Sequence, residues 1–163
     1  MVRAAFSTSS SSSSSTSSRH GVPLIERMRA HDPHSVAIID ADGTVSTYQQ
    51  LLRKAQQIAD EITHSTGTRP SPPSVACFHL PGSDYVASML GTWMAGKRFL
   101  PLQTTHPLAE LRYFVEDADV CTLLYSQHAM QAYTRAHTSS GASSNSGGGH
   151  SFEALEHLGV SML

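Results

Sequence analysis

Apolar and polar positions in the middle of the chain fall into short runs separated by helical periods. Val36-Ala37-Ile38-Ile39-Asp40, then Ala41-Asp42-Gly43, then Thr44-Val45-Ser46 read as a β-hairpin, because Asp42-Gly43 supplies the positive-φ positions of a tight turn. A helix follows. Thr47 and Gln50 have capping-box spacing, and Leu51, Leu52, Ala55, Ile58, Ala59 and Ile62 recur on one face to about Thr63. Gly67, Pro70, Pro72 and Pro73 end it. Val75 to His79 is an apolar run bounded by turn residues, and Pro81-Gly82-Ser83 leads into a second helix with Ser83 as its expected N-cap. Tyr85, Val86, Met89, Leu90, Trp93 and Met94 form that helix's predicted apolar face. Gly96 stands where a left-handed terminal residue belongs, with Lys97 and Arg98 at the negative end of the dipole. Phe99 to Leu102 reads as a strand, and Pro107 opens a helix carrying Leu108, Leu111, Phe114, Val115 and Ala118. Cys121 to Tyr125 reads as a further strand. Strands alternating with helices predict an α/β fold, a partial doubly wound domain with parallel βαβ units.

The ends of the chain have a different composition. Every residue from Ser7 to Ser18 is Ser or Thr, and Ser139 to Gly149 is rich in Ser and Gly, so neither stretch has apolar surface to bury. This divides the chain into a disordered N-terminal segment, 1–22, a folded segment, 23–135, and a Ser/Gly-rich linker with a short tail, 136–163. Within the tail, Phe152 to Leu158 offers two helical turns, too short to be stable alone. The first segment carries Arg3 and Arg19 and no acid precedes Glu26, the composition of an organelle transit peptide. Arg3 followed by Phe6-Ser7 is similar to the end of a mitochondrial presequence, although poly-Ser is a poor helix former. A mitochondrial location is the expectation; a flexible tail with no address, leaving the protein cytoplasmic, or a plastid location is the alternative.

Charge narrows the function classes. Eleven basic and 13 acidic residues give a net charge of −2, with no electrostatic footprint for nucleic acid or an anionic membrane. No apolar run approaches the roughly 20 residues that span a bilayer. The two cysteines, Cys77 and Cys121, lie inside apolar runs as small hydrophobes, which excludes a disulfide scaffold.

Candidate chemistry is sparse. Gly91 to Lys97 comes close to a phosphate-binding loop, but Arg98 stands where Ser or Thr must meet magnesium, and the stretch closes a helix instead of opening one. No GxGxxG occurs. Ten histidines are scattered, and the tightest cluster, His31-Asp32-Pro33-His34, lacks a third ligand nearby and reads as a solvated turn. His79 ends a strand and reads as a strand-end polar residue, since no nucleophile elbow accompanies it. No catalytic, cofactor-binding or metal-binding residue is assigned.

Three stretches in order nevertheless resemble the N-terminal portion of an AMP-forming acyl-CoA synthetase of the adenylate-forming ligase superfamily. Ala37 to Gly43 through Ser46-Thr47-Tyr48-Gln49-Gln50-Leu51 resembles the family's first core motif, and Gly91 through Gly96 to Phe99-Leu100-Pro101-Leu102 its second. His106-Pro107-Leu108-Ala109-Glu110-Leu111 matches the following helix. Gly91-Thr92-Trp93-Met94 together with His106-Pro107 is most similar to malonyl-CoA synthetase-type members; Gln103 departs from the small polar or acidic residue common after Pro-Leu. The resemblance implies a carboxylic acid substrate, ATP, magnesium and CoA in an intact relative of fatty acid metabolism. It also implies parts that this sequence lacks: a phosphate loop ending in Pro-Lys, an acidic magnesium site, a ribose-binding Asp and a catalytic lysine. Thr138 to Ser143 is only superficially similar to that loop, and no lysine follows Lys97. The expectation is a truncated synthetase piece, inactive and without cofactors by itself, capable of self-association with the remainder of a synthetase. The alternative is a non-catalytic α/β interaction module or short isoform that binds a partner protein.

Overall fold

The computed structural model describes residues 22–66, 73–138 and 161–162. The serine tracts, the expected transit segment, the stop signals Gly67, Pro70 and Pro72, and the Phe152 to Leu158 turns lie outside these residues. The elements run α1 (Pro23–Arg29), β1 (Val36–Ile39), β2 (Val45–Thr47), α2 (Tyr48–Thr66), β3 (Ser74–Phe78), α3 (Ser83–Met94), β4 (Arg98–Pro101), α4 (Leu108–Asp117), β5 (Val120–Tyr125), α5 (Gln127–Thr138) and β6 (Ser161–Met162).

β1 and β2 pair antiparallel, as their alternation predicts. Their turn differs in type from the expectation. The Gly43 N–H donates to the Asp40 carbonyl at 2.9 Å and Asp40 pairs with Thr44 across the neck, while among these residues only Gly43, at φ 86°, enters the left-handed region. One positive-φ glycine after a three-residue reversal replaces the two-residue turn, and Asp42 serves instead as an acceptor for the Thr44 N–H at 2.9 Å. The capping box of α2 forms as expected: the Thr47 N–H donates to Gln50 Oε1 at 2.9 Å and the Gln50 N–H to Thr47 Oγ1 at 3.3 Å. Leu51, Ala55, Ala59 and Ile62 are its buried positions.

The remaining strands form a parallel sheet in the order β4-β3-β5-β6. β3 is central and fully buried, and its alternation decides which helix covers which face. Ala76 and Phe78 pack with Leu111 and Val115 of α4 and Ala129 and Tyr133 of α5. Val75 points the other way, to Ile62 of α2. On that second side Ala55 of α2 meets Ala87 and Leu90 of α3, with Ile25 of α1 against them. Helices on both faces of a parallel sheet make the domain doubly wound, as predicted.

Two expectations for α3 are corrected. Ser83 is its first residue and not its cap; Gly82 holds the cap position. The most buried positions of α3 are Ala87, Ser88, Leu90, Gly91 and Thr92, whereas Tyr85, Val86, Met89, Trp93 and Met94 are only partly covered. A Cβ on Gly91 would stand 2.7 Å from the Ala55 carbonyl oxygen and 2.9 Å from Ile58, so α2 approaches too closely for any side chain there. Helices α1 and α5, and the strand β6, have no counterpart in the sequence pattern. Pro23 at the first turn of α1 and the single buried anchor Ile25 leave too few apolar positions for a period to register. The C-terminal glycine of α3 behaves as expected: Gly96 takes φ 68°, its N–H donates to the Trp93 carbonyl at 3.0 Å, and the Lys97 N–H reaches the Thr92 carbonyl at 3.0 Å, a complete Schellman closure.

Candidate functional site at the carboxyl edge of the sheet

The chain enters the sheet at β3, moves to one side for β4, then crosses back to the other side for β5. Loops leaving β3 and β5 therefore run to helices on opposite faces, and a crevice opens between the carboxyl ends of those two strands. In open α/β sheets ligands bind at such a switch point.

Two cavities occupy this edge. One, about 410 Å³, lies between the hairpin turn (Asp40, Asp42, Thr44), the β3–α3 loop with the start of α3 (His79 to Asp84), Ser126 and His128. The other, about 380 Å³, is lined by His79, Leu80, Pro81, Tyr85, Pro101, Leu102 and the Gln103 to Thr105 loop. Both fall within the ~300–1,000 Å³ usual for small-molecule sites. His79, Leu80 and Pro81 are common to both and form their shared wall.

The two sides differ in chemistry. Asp40 accepts the Ser83 backbone N–H at 2.7 Å on one carboxylate oxygen and the Ser83 hydroxyl at 2.6 Å on the other. Gly82 admits that carboxylate, since a Cβ there would stand 3.0 Å from Asp40 Oδ1. Asp84 pairs with Lys54 of α2, both half exposed, and the Thr44 N–H holds the Asp42 carboxyl below its usual range. On the other side, Tyr85 meets Phe99 edge to face at 5.6 Å between ring centres, and burial raises its phenol. Between them sits His79. Its Nδ1 is buried and has no hydrogen-bond partner among the described residues. Burial lowers its pKa, with Asp84 opposing that shift and Lys54 adding to it.

The sequence puts His79 at the end of a strand and gives it no site; in the structure β3 ends at Phe78 and His79 is the residue directly after it. The usable signal is topological: a polar residue directly after a central parallel strand and before a helix lands on the crevice. His31, Asp32 and His34 form a turn as expected; Asp32 accepts the His34 N–H at 3.0 Å and His31 stacks on Tyr48 at 4.7 Å. The Gly91 to Lys97 stretch closes α3, and Gly91 is buried against α2, away from the crevice. Among the described residues no three His, Cys, Asp or Glu side chains gather to hold a metal ion, and no helix is long and apolar enough to cross a membrane. The N-terminus of α3, where an anionic phosphate would be drawn, already carries the Asp40 carboxylate. Among the described residues no cluster of carboxylates is placed to hold magnesium-bound ATP.

A protein-family model described as AMP-binding enzyme matches residues 25–151. The chain is 33% identical over 104 residues to the nonribosomal peptide synthetase acrB of Aspergillus aculeatus and 30% identical over 109 residues to gramicidin S synthase 2 of Brevibacillus brevis. These alignments cover 64% and 66% of this chain but only 6% and 2% of those proteins. Among solved structures, ATP-bound MatB from Rhodopseudomonas palustris superposes with a TM-score of 0.60 at 22% identity, over 85% of this chain and 24% of that one. A benzoate CoA ligase from Burkholderia xenovorans gives 0.58 at 20% identity, over 71% and 23%. The chain thus spans about a quarter of the solved relatives' length, and the likeness extends the α/β fold to both of them.

Proposed function

The chain belongs to the AMP-binding enzyme family, and from that premise we propose that it forms the first part of an acid–CoA ligase of the malonyl-CoA synthetase type. In that reaction a carboxylate oxygen attacks the α-phosphorus of ATP and pyrophosphate leaves; a thiol then attacks the acyl carbon and AMP leaves. The observation that carries the reading is the succession of hairpin, capping-box helix, α3 with its Schellman glycine and the strand β4, which ends at Pro101 just before Leu102. The pairing of Gly91-Thr92-Trp93-Met94 with His106-Pro107 supports the malonyl type.

This chain's role is scaffolding. Stabilising charge on the α-phosphate and on pyrophosphate takes preorganised cations, and removing even one such donor costs ~10²–10³ in rate. Lys54 is engaged with Asp84, and Lys97 follows the carbonyl end of α3, whose dipole repels phosphate. The purified chain is expected to show no malonate-dependent exchange of labelled pyrophosphate into ATP. Exchange that is lost in Lys97→Ala would overturn the scaffolding role.

The peptide-synthetase relatives favour a second reading, activation of an amino acid. A protein that joins this chain to a downstream Pro-Lys phosphate loop would decide between them: exchange with malonate and release of a CoA thioester supports the first, exchange with amino acids alone the second. For residues 1–22 we propose mitochondrial addressing. A reporter fused to them should be imported and processed; diffuse signal would refute it.

A further inference from the structure

We propose that His79 is a proton-operated gate between the two cavities at the carboxyl edge of the sheet: the neutral ring is seated in their shared wall, and the imidazolium turns out of it into the carboxylate-lined cavity. The inference concerns this chain's own residues and holds whichever acid an intact enzyme activates.

The geometry supplies the argument. The buried Nδ1 has no partner among the described residues, and a protonated ring carries N–H at both nitrogens, so the cation in its present seat would bury an unpaired charged donor. A neutral ring leaves one uncharged atom unsatisfied, a smaller penalty. Relief is close at hand, because His79 is only partly buried and borders open volumes of about 410 and 380 Å³.

The two directions of escape are not equal. Toward the hairpin lie Asp40, Asp42 and Asp84, with Ser126 and Thr44 as further acceptors; toward β4 lie Leu80, Pro81, Pro101 and Leu102. A cation moves to the first. The other titratable and charged groups around the ring are Lys54 from α2, which repels it, His128 from α5, and Tyr85 from α3 and Cys77 from β3, the last two neutral near pH 7. Asp84 draws the cation and Lys54 opposes it, while Asp40 and Asp42 line the same side and no carboxylate lines the other. Movement therefore fills the acidic cavity and enlarges the apolar one as pH falls. The lowered pKa of His79 places this change on the acid side of the ordinary histidine value of 6.5.

The test is an NMR titration of the full chain from pH 8 to 5 with histidine ring carbons labelled, His79 being assigned by loss of its signal in His79→Gln. The His79 midpoint is expected below 6.5, and the Leu80, Gly82, Ser83 and Ser126 amides should shift with that same midpoint. Contacts between the His79 ring and the side-chain protons of Asp40 or Asp84, which line the acidic cavity, should appear below it. Lys54→Met should raise the midpoint and Asp84→Asn lower it. A midpoint at or above 6.5, loop amides that do not follow the ring, or ring contacts that stay those of pH 8 would each overturn the gate. If His79→Gln fails to fold, the ring signal is assigned through its own backbone connectivity in the unaltered chain.

Discussion

Asp40 and Ser83 lie 43 residues apart, yet the Asp40 carboxylate accepts both the backbone N–H and the hydroxyl of Ser83. The hairpin thus caps a helix that belongs to the sheet. In most helices the cap comes from the residue directly preceding the first turn; here that residue is Gly82, which has no side chain to offer and leaves room for the visiting carboxylate.

Removal of this tertiary cap should be costly. Asp40→Ala leaves the Ser83 N–H unpaired, and hydrogen bonds to a charged group contribute ~1.5–3 kcal/mol, whereas Ser83→Ala gives up one of the two bonds and should cost about 1 kcal/mol. Denaturant unfolding of the two single variants and the double variant should show strong non-additivity; simple addition would mean that the two residues do not act together.

Two glycines at the end of α3 should respond to substitution for different reasons. Gly91→Ala would improve helix propensity by about 1 kcal/mol, but its Cβ would fall 2.7 Å from a backbone oxygen of α2 that cannot move aside alone. A net loss of ~1–3 kcal/mol from overpacking is expected. At Gly96 nothing lies within 4 Å of an added Cβ, so Gly96→Val should cost ~1–2 kcal/mol from left-handed strain alone. Gly96→Asn should be tolerated better than valine, and Gly91→Asn should not. Thermal melts of these four variants separate steric from conformational cost.

Cys77 should be inert. It is fully buried, and burial pushes its thiol up to about 12, so at pH 8 only about one molecule in 10⁴ would carry the thiolate that reacts. A disulfide reagent at pH 8 should label Cys77 only in denaturant. Rapid labelling of both cysteines in the native chain would contradict the packing of β3.

Stability should decline on the acid side through His79. Its folded pKa lies below the ordinary 6.5 because burial disfavours the cation, so the unfolded chain takes up the proton first. The neutral residue's contribution is intact above pH 6.5 and is lost as pH falls from there toward the lower folded value. His79→Leu should flatten that part of a Tm-against-pH curve; a profile unchanged by the substitution would remove His79 as its source.

Local chemistry is legible in the sequence. The Thr47–Gln50 box, the period of α2, the hairpin, the glycine closing α3 and the alternation of strand and helix each depend on residues within one or two turns of each other, and all form where their signals lie. The family's scaffold motifs are made of these same local signals, which is why the resemblance is visible. What the tertiary structure decided depends on residues brought together from afar. The cap on α3 comes from Asp40, the need for Gly91 comes from Ala55 and Ile58, and the pairing of β6 with Thr122 and Leu123 comes from a segment beyond α5. The strand order β4-β3-β5-β6 is of the same kind. That order alone moves His79 from the end of a strand to the wall between two cavities, because a switch point exists only where neighbouring strands send their loops to opposite faces.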